Sequence, residues 1–145
     1  MRENLDPTVR FTDRQLWTSL ERCHLSETVV QWPLGLSTQV LERGKLFSAG
    51  QKQLLCLARA LLLNARVICI DEATASVDAE TDRLIQMTIR SAFRSSTVLT
   101  IAHRIDTVMD CDRVAVMSGG QLVELDSPAK LLQNPSSHFS QLVNF

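Results

Sequence analysis

The sequence predicts an α/β domain with a parallel core. Three observations carry that expectation. "RVICI" (66–70) and "TVLTIAH" (97–103) are short, continuously apolar, β-branched runs, as strands buried on both faces read. "AETDRLIQMTIRSAF" lies between them with its apolar residues at helical spacing. Strand, helix and strand in that order make a parallel unit.

The elements follow in order. "FTDRQLWTSLERCHLSETVV" reads as one helix with Leu16, Leu20 and Cys23 on one stripe. "PLGLSTQVLERGK" is irregular, broken by Pro33, Gly35 and Gly44. A leucine-rich helix then runs from about Gly50 to Leu63. After the first strand, Asp78 is placed to cap the next helix. Leu84, Ile85, Thr88, Ile89, Ala92 and Phe93 form its apolar stripe, with Arg83, Gln86, Arg90 and Arg94 on its wet face. "RVAVMSGGQLVELD" is a hairpin turning at Gly119-Gly120, and Ser127-Pro128 is a helix cap followed by proline at the first helical position.

The bulk numbers narrow the function. The 145 residues are 45% hydrophobic and 21% charged, with a net charge of −1 and the basic residues scattered among the acids. No basic patch and no tyrosine point to nucleic acid as a partner. No stretch approaches the roughly 20 apolar residues of a membrane span. Glu3, Asp6 and Pro7 near the start are unlike a secretory signal. Cys23, Cys56, Cys69 and Cys111 form no C-x-x-C pair and are expected to be buried free thiols of a reducing compartment. Trp17 and Trp32 are expected in core or rim packing, and His24 and His138 at surface or structural positions.

Chemistry concentrates at two places. "LFSAGQKQLLCLARALL" opens a helix with small residues, leaving its first amides bare, and bare amides at the positive end of a helix suit an anion. Asp71-Glu72 follows the first buried strand directly, at the strand end where parallel sheets bind ligands. The first carboxylate suits Mg²⁺ held through water, and the second suits orienting or deprotonating a hydrolytic water. Alone, such a pair also fits a solvated turn. His103 ends the second strand on the same rim, and that company favours a shared role over a structural histidine. "ATASVD" is a small-residue loop on that rim.

"FSAGQKQLLCLARALL", "VICIDEATASVD" and "TVLTIAHR" together resemble, in order and spacing, the nucleotide-binding domain of ABC transporters. They look like its signature motif, its Walker B strand with catalytic glutamate and D-loop, and its switch histidine. "RENLDP" and the Phe-Ser opening of the signature resemble the second ATPase domain of the C subfamily, the multidrug-resistance-associated exporters. The likeness runs from Arg2 to about Leu142. It implies a partial P-loop NTPase fold, with residues 1–63 as the helical and signature region. Residues 64–145 would be the Walker B, D-loop, switch-histidine and C-terminal part, closing on a β-hairpin. It also implies that Ser48, Ala49, Gly50 and Gln51 contact the γ-phosphate of an ATP held by an opposing domain. Asp71 would support Mg²⁺, Glu72 would activate water, and His103 would touch the γ-phosphate. Ser76 and Asp78 would lie at the domain–domain seam. Ala49 departs from the commoner Gly-Gly pattern; its amide survives unless that position needs φ > 0.

The phosphate cradle G-x-x-x-x-G-K-[ST] does not occur in the chain. The one Gly-Lys pair, Gly44-Lys45, is followed by Leu46, and Gln39 stands where the first glycine would be. In the family the Walker A strand, loop and helix precede the matched region, so Met1 is expected to be a start imposed on an interior segment. Two expectations follow: negligible hydrolysis by this chain alone, and marginal stability from a strand with an unpaired edge and an uncovered face. The leading reading is therefore part of an exporter ATPase. It would work at the cytoplasmic face of a membrane, with an opposing nucleotide-binding domain and transmembrane domains as partners. The alternative is a stand-alone truncated product that docks on intact ATPase domains without catalysis. A DNA-repair ATPase of the same superfamily would need sustained heptads, which are absent.

Overall fold

A computed structural model describes residues 1–40, 46–71, 77–102 and 104–143. By contacts along the backbone the chain divides into two compact units, Met1–Thr100 and Ile101–Phe145.

The first unit is mostly helical. After a short helix α1 (Arg2–Leu5), α2 spans Asp13–Arg22. Thr12 and Gln15 cap it reciprocally: the Thr12 hydroxyl accepts from the Gln15 amide, and the Gln15 side chain accepts from the Thr12 amide. The single helix expected over residues 11–30 is in fact two, because the chain reverses at His24. His24 takes φ +56°, its amide donates to the Glu21 carbonyl, and the Leu25 amide reaches back to Leu20 at 2.9 Å. This is a Schellman closure with its usual apolar contact, since Leu20 and Leu25 are both fully buried. Helix α3 (Ser26–Val30) follows, then one 3₁₀ turn at Gly35–Ser37.

Helix α4 (Ala49–Leu63) buries Gly50, Leu54, Leu55, Leu57 and Ala58, and ends at Asn64 in the left-handed region, φ +48°. Its Arg59 returns to the chain start, donating from Nε to the Asn4 carbonyl at 2.7 Å and from Nη2 to the Asn4 side chain. Strand β1 (Val67–Asp71) leads through α5 (Ala79–Ala92) to β2 (Thr97–Ile101), and the two strands pair in parallel. Leu16, Leu20, Leu25, Val29 and Ile85 form the fully buried centre of this unit. Trp17 and Trp32 pack partly buried against that core, with Trp32 meeting Phe47 edge-on at 5.2 Å.

The strands are not buried on both faces as expected. In β1 only Ile68 and Ile70 turn inward, while Val67, Cys69 and Asp71 are exposed. In β2, Leu99 and Ile101 are likewise exposed. A two-stranded sheet packed on helices from one side leaves its second face uncovered, whatever the residues' polarity. The cysteine expectation fails for related reasons. Of the four cysteines only Cys23 is buried; Cys56 faces out from α4, Cys69 from β1, and Cys111 is exposed.

The second unit holds α6 (Ile105–Met109), a hairpin of β3 (Val114–Ser118) and β4 (Gln121–Asp126), then α7 (Pro128–Leu132) and α8 (His138–Val143). Gly119 and Gly120 both have positive φ, as the tight hairpin turn requires. A bulge between Val116 and Met117 shifts the register, so Val116 faces Glu124 while Met117 faces Leu122. Ser127 caps α7 with Pro128 at its first position. The Glu124 carboxylate reaches from β4 to accept from the amides of His138 and Phe139, at 2.8 and 3.1 Å. A strand side chain thereby satisfies the opening amides of α8.

Candidate phosphate-facing helix start and strand-end carboxylate

The first turn of α4 is built by its own sequence. Ser48, extended at ψ 167°, accepts through Oγ from the Gln51 amide at 3.2 Å. Gln51 Oε1 accepts from the Ser48 amide at 3.0 Å, and its Nε2 donates to Thr28 Oγ1 on α3 at 3.5 Å. This capping box uses two amides and leaves those of Ala49 and Gly50 without a partner among the described residues. Ser48 and Ala49 are exposed. Ala49 has no positive φ, so the methyl that departs from the Gly-Gly pattern costs the helix start nothing in backbone strain.

Gly50 is buried beneath the start of α5. A Cβ added there would overlap the Thr81 methyl and lie 3.2 Å from the Thr81 Cβ. Thr81 is held in place by Asp78, which accepts from the Thr81 amide at 2.9 Å and from its hydroxyl at 2.7 Å. Those two bonds lead the causes that lower the Asp78 carboxyl below its usual range. Asp78 caps α5 as its place in the sequence indicated. The helix starts of α4 and α5 thus meet through one glycine and one threonine.

Asp71 closes β1 with its side chain exposed, and makes no hydrogen bond or ion pair among the described residues. Glu72, Ser76 and His103 lie outside the described residues. No group of three or more metal-ligating side chains occurs among those described. One exposed carboxylate nevertheless suits Mg²⁺, which usually takes one or two protein oxygens and completes its shell with water and phosphate. Two residues at this site went unmarked in the sequence. Thr81 carried a local signal, standing third after an aspartate cap, whereas Thr28 meets Gln51 only through tertiary packing.

Parallel strands joined through a helix define an α/β protein, with a carboxylate at the end of β1 and a helix start whose first amides are unengaged among the described residues. The ABC transporter family matches residues 2–75. Over 143 residues the chain is 56% identical to ATP-binding cassette sub-family C member 10 of Mus musculus, covering 99% of this chain and 10% of that protein. It is 51% identical over 142 residues to the vacuolar heme ABC transmembrane exporter abc3 of Schizosaccharomyces pombe, covering 98% and 10%. It is 49% identical over 143 residues to the metal resistance protein YCF1 of Saccharomyces cerevisiae, covering 98% and 9%. The chain belongs to the ABC transporter family, in its C subfamily. It spans about a tenth of the length of these relatives. No helix among the described residues is long and apolar enough to cross a membrane.

Proposed function

We propose that this chain is the C-terminal part of an ABC exporter's second ATPase domain, and that it serves ATP hydrolysis coupled to solute export across a membrane. In this reading it works at the cytoplasmic face, against transmembrane domains of the same transporter. The observation that carries the reading is the start of α4, where the amides of Ala49 and Gly50 stay unengaged beside an exposed Ser48.

The chemistry follows from the cap. Ser48 Oγ accepts from the Gln51 amide, so its own O–H remains to donate outward. With two bare amides and the positive end of a helix 15 residues long, it forms a donor set for a γ-phosphate. Such a half-site needs its nucleotide delivered by an opposing domain, face to face. Asp71 would hold Mg²⁺ through its exposed carboxylate, the ion supplying charge neutralisation at the phosphates. Glu72 is assigned to orient and deprotonate the attacking water, His103 to contact the γ-phosphate, and Ser76 and Asp78 to the seam between domains. Turnover is assigned to the assembled pair of domains.

The test is Ser48→Asp in the intact transporter. Aspartate caps a helix as well as serine does but sets a negative charge against the phosphate. The expected result is an unchanged melting temperature with KM for MgATP raised about tenfold or more, as a lost charge-assisted hydrogen bond and a new like charge dictate. An unchanged KM would overturn the reading.

A further inference from the structure

Position 50 raises a question that the phosphate alone does not answer. Its φ is not left-handed, so no backbone requirement there demands glycine. What excludes a side chain is Thr81, whose methyl occupies the space a Cβ would take. Thr81 cannot simply turn aside. Its hydroxyl donates to Asp78 Oδ2 at 2.7 Å, and swinging the methyl away breaks that bond. As a β-branched residue on a helix it has few rotamers to choose from. Even after rotation, a Cβ at position 50 would stand 3.2 Å from the Thr81 Cβ.

We propose that Thr81 is a positioning residue that couples Asp78 to the start of α4, and that position 50 is glycine because Thr81 fills its space. Asp78 grips Thr81 by amide and hydroxyl, and Thr81 bears on Gly50, whose amide is unengaged among the described residues. A displacement of Asp78 is then passed to the donor set by contact. Two helix starts that would otherwise shift separately move as one. The proposal rests on the phosphate half-site described above.

The test uses the intact transporter with three single variants, one double variant and one control. Thr81→Val keeps the branched shape and the backbone cap but loses the hydroxyl bond to Asp78. Thr81→Ser keeps that bond and removes the methyl over Gly50. Thr81→Val is expected to raise KM for MgATP about three- to tenfold, the factor that one ordinary hydrogen bond carries net of solvent. Its melting temperature should stay within about 2 °C of the parent, less than the loss of 1 kcal/mol would produce. Thr81→Ser should raise KM as well, because the contact that passes the coupling to Gly50 is lost. Gly50→Ala should lose activity and recover a measurable part when combined with Thr81→Ser. An unchanged KM in Thr81→Val overturns the coupling, as does a loss of activity that only tracks melting temperature, or a double variant no better than Gly50→Ala. Ser48→Asp is the control that separates the two failures. If it leaves KM unmoved, the half-site itself fails; if it raises KM while Thr81→Val does not, only the coupling does.

Discussion

Ser48 and Gln51 close a reciprocal pair at the head of α4: the hydroxyl of one accepts from the amide of the other at 3.2 Å, and the amide of the first donates back at 3.0 Å. The pair satisfies the helix start without using the amides of Ala49 and Gly50. In the proposed reading the cap uses a lone pair of the Ser48 hydroxyl and phosphate binding uses its hydrogen. Ser48→Ala should destabilise the domain by about 1 kcal/mol, and Ser48→Asn should recover most of that. Urea midpoints of the two variants check it; equal midpoints would mean the cap contributes nothing.

Arg22 ties the end of α2 to the end of α5. Its Nη2 donates to the Ala92 carbonyl at 2.9 Å, meeting a group that the last turn of α5 leaves without a helical partner. Arg22→Ala should cost about 1–2 kcal/mol, and Arg22→Lys should recover little, because an ammonium does not reproduce the planar donor geometry. Equilibrium unfolding of both variants reads the difference directly.

Acid should weaken both units. The Ser127 amide is the leading cause that holds the Asp126 carboxyl low, with Lys130 and Arg113 assisting. The Thr81 amide does the same for Asp78. At Asp6 burial pushes the carboxyl up, but the amides of Arg10 and Phe11 outweigh it, and the net shift is downward. All three carboxyls lie lower in the fold than in the unfolded chain, so their contribution is complete above the ordinary value of 3.8. It is lost as pH falls through the folded values below that. Melting temperatures of Asp126→Asn should fall less steeply than the parent's below pH 3.8; parallel slopes would contradict the sign.

The four thiols should separate cleanly under a maleimide. Cys23 is buried against the core of α2, and burial pushes its thiol up to about 12, so it offers almost no thiolate at neutral pH. Cys56, Cys69 and Cys111 are exposed. Mass spectrometry of the native chain should show three rapid additions and a fourth only on unfolding. Rapid labelling of Cys23 would mean that the packing around Leu20 and Leu25 is looser than described.

Much of the fold was legible in the sequence because it is locally encoded. Asp78, Ser127-Pro128 and Gly119-Gly120 each fix a helix start or a turn by their own chemistry, and each stands where that chemistry placed it. The break at His24 was hidden, because Leu16, Leu20 and Cys23 continue a helical stripe and nothing in the residue type demands a left-handed turn. The exposed faces of β1 and β2 were legible only through the resemblance, whose missing strand and helix imply an uncovered face; the apolar runs alone read as burial on both sides. An apolar run states that a strand is suited to burial, but the neighbours available decide which faces are covered. Of the candidate site, the helix start and Asp71 were readable as motifs. The contact of Gly50 with Thr81 joins residues from two separate helices, and no spacing rule reports it.

The most direct measurement is photolabelling of the intact transporter with an ATP analogue carrying its reactive group on the γ-phosphate, followed by tryptic mapping. Cleavage after Lys45 and Lys52 isolates residues 46–52, the peptide holding Ser48, Ala49, Gly50 and Gln51. The expected result is label on that peptide, abolished by excess unlabelled ATP and reduced by Ser48→Asp. Label confined to other peptides, with 46–52 unmodified, would contradict the assignment of the α4 start to a nucleotide phosphate.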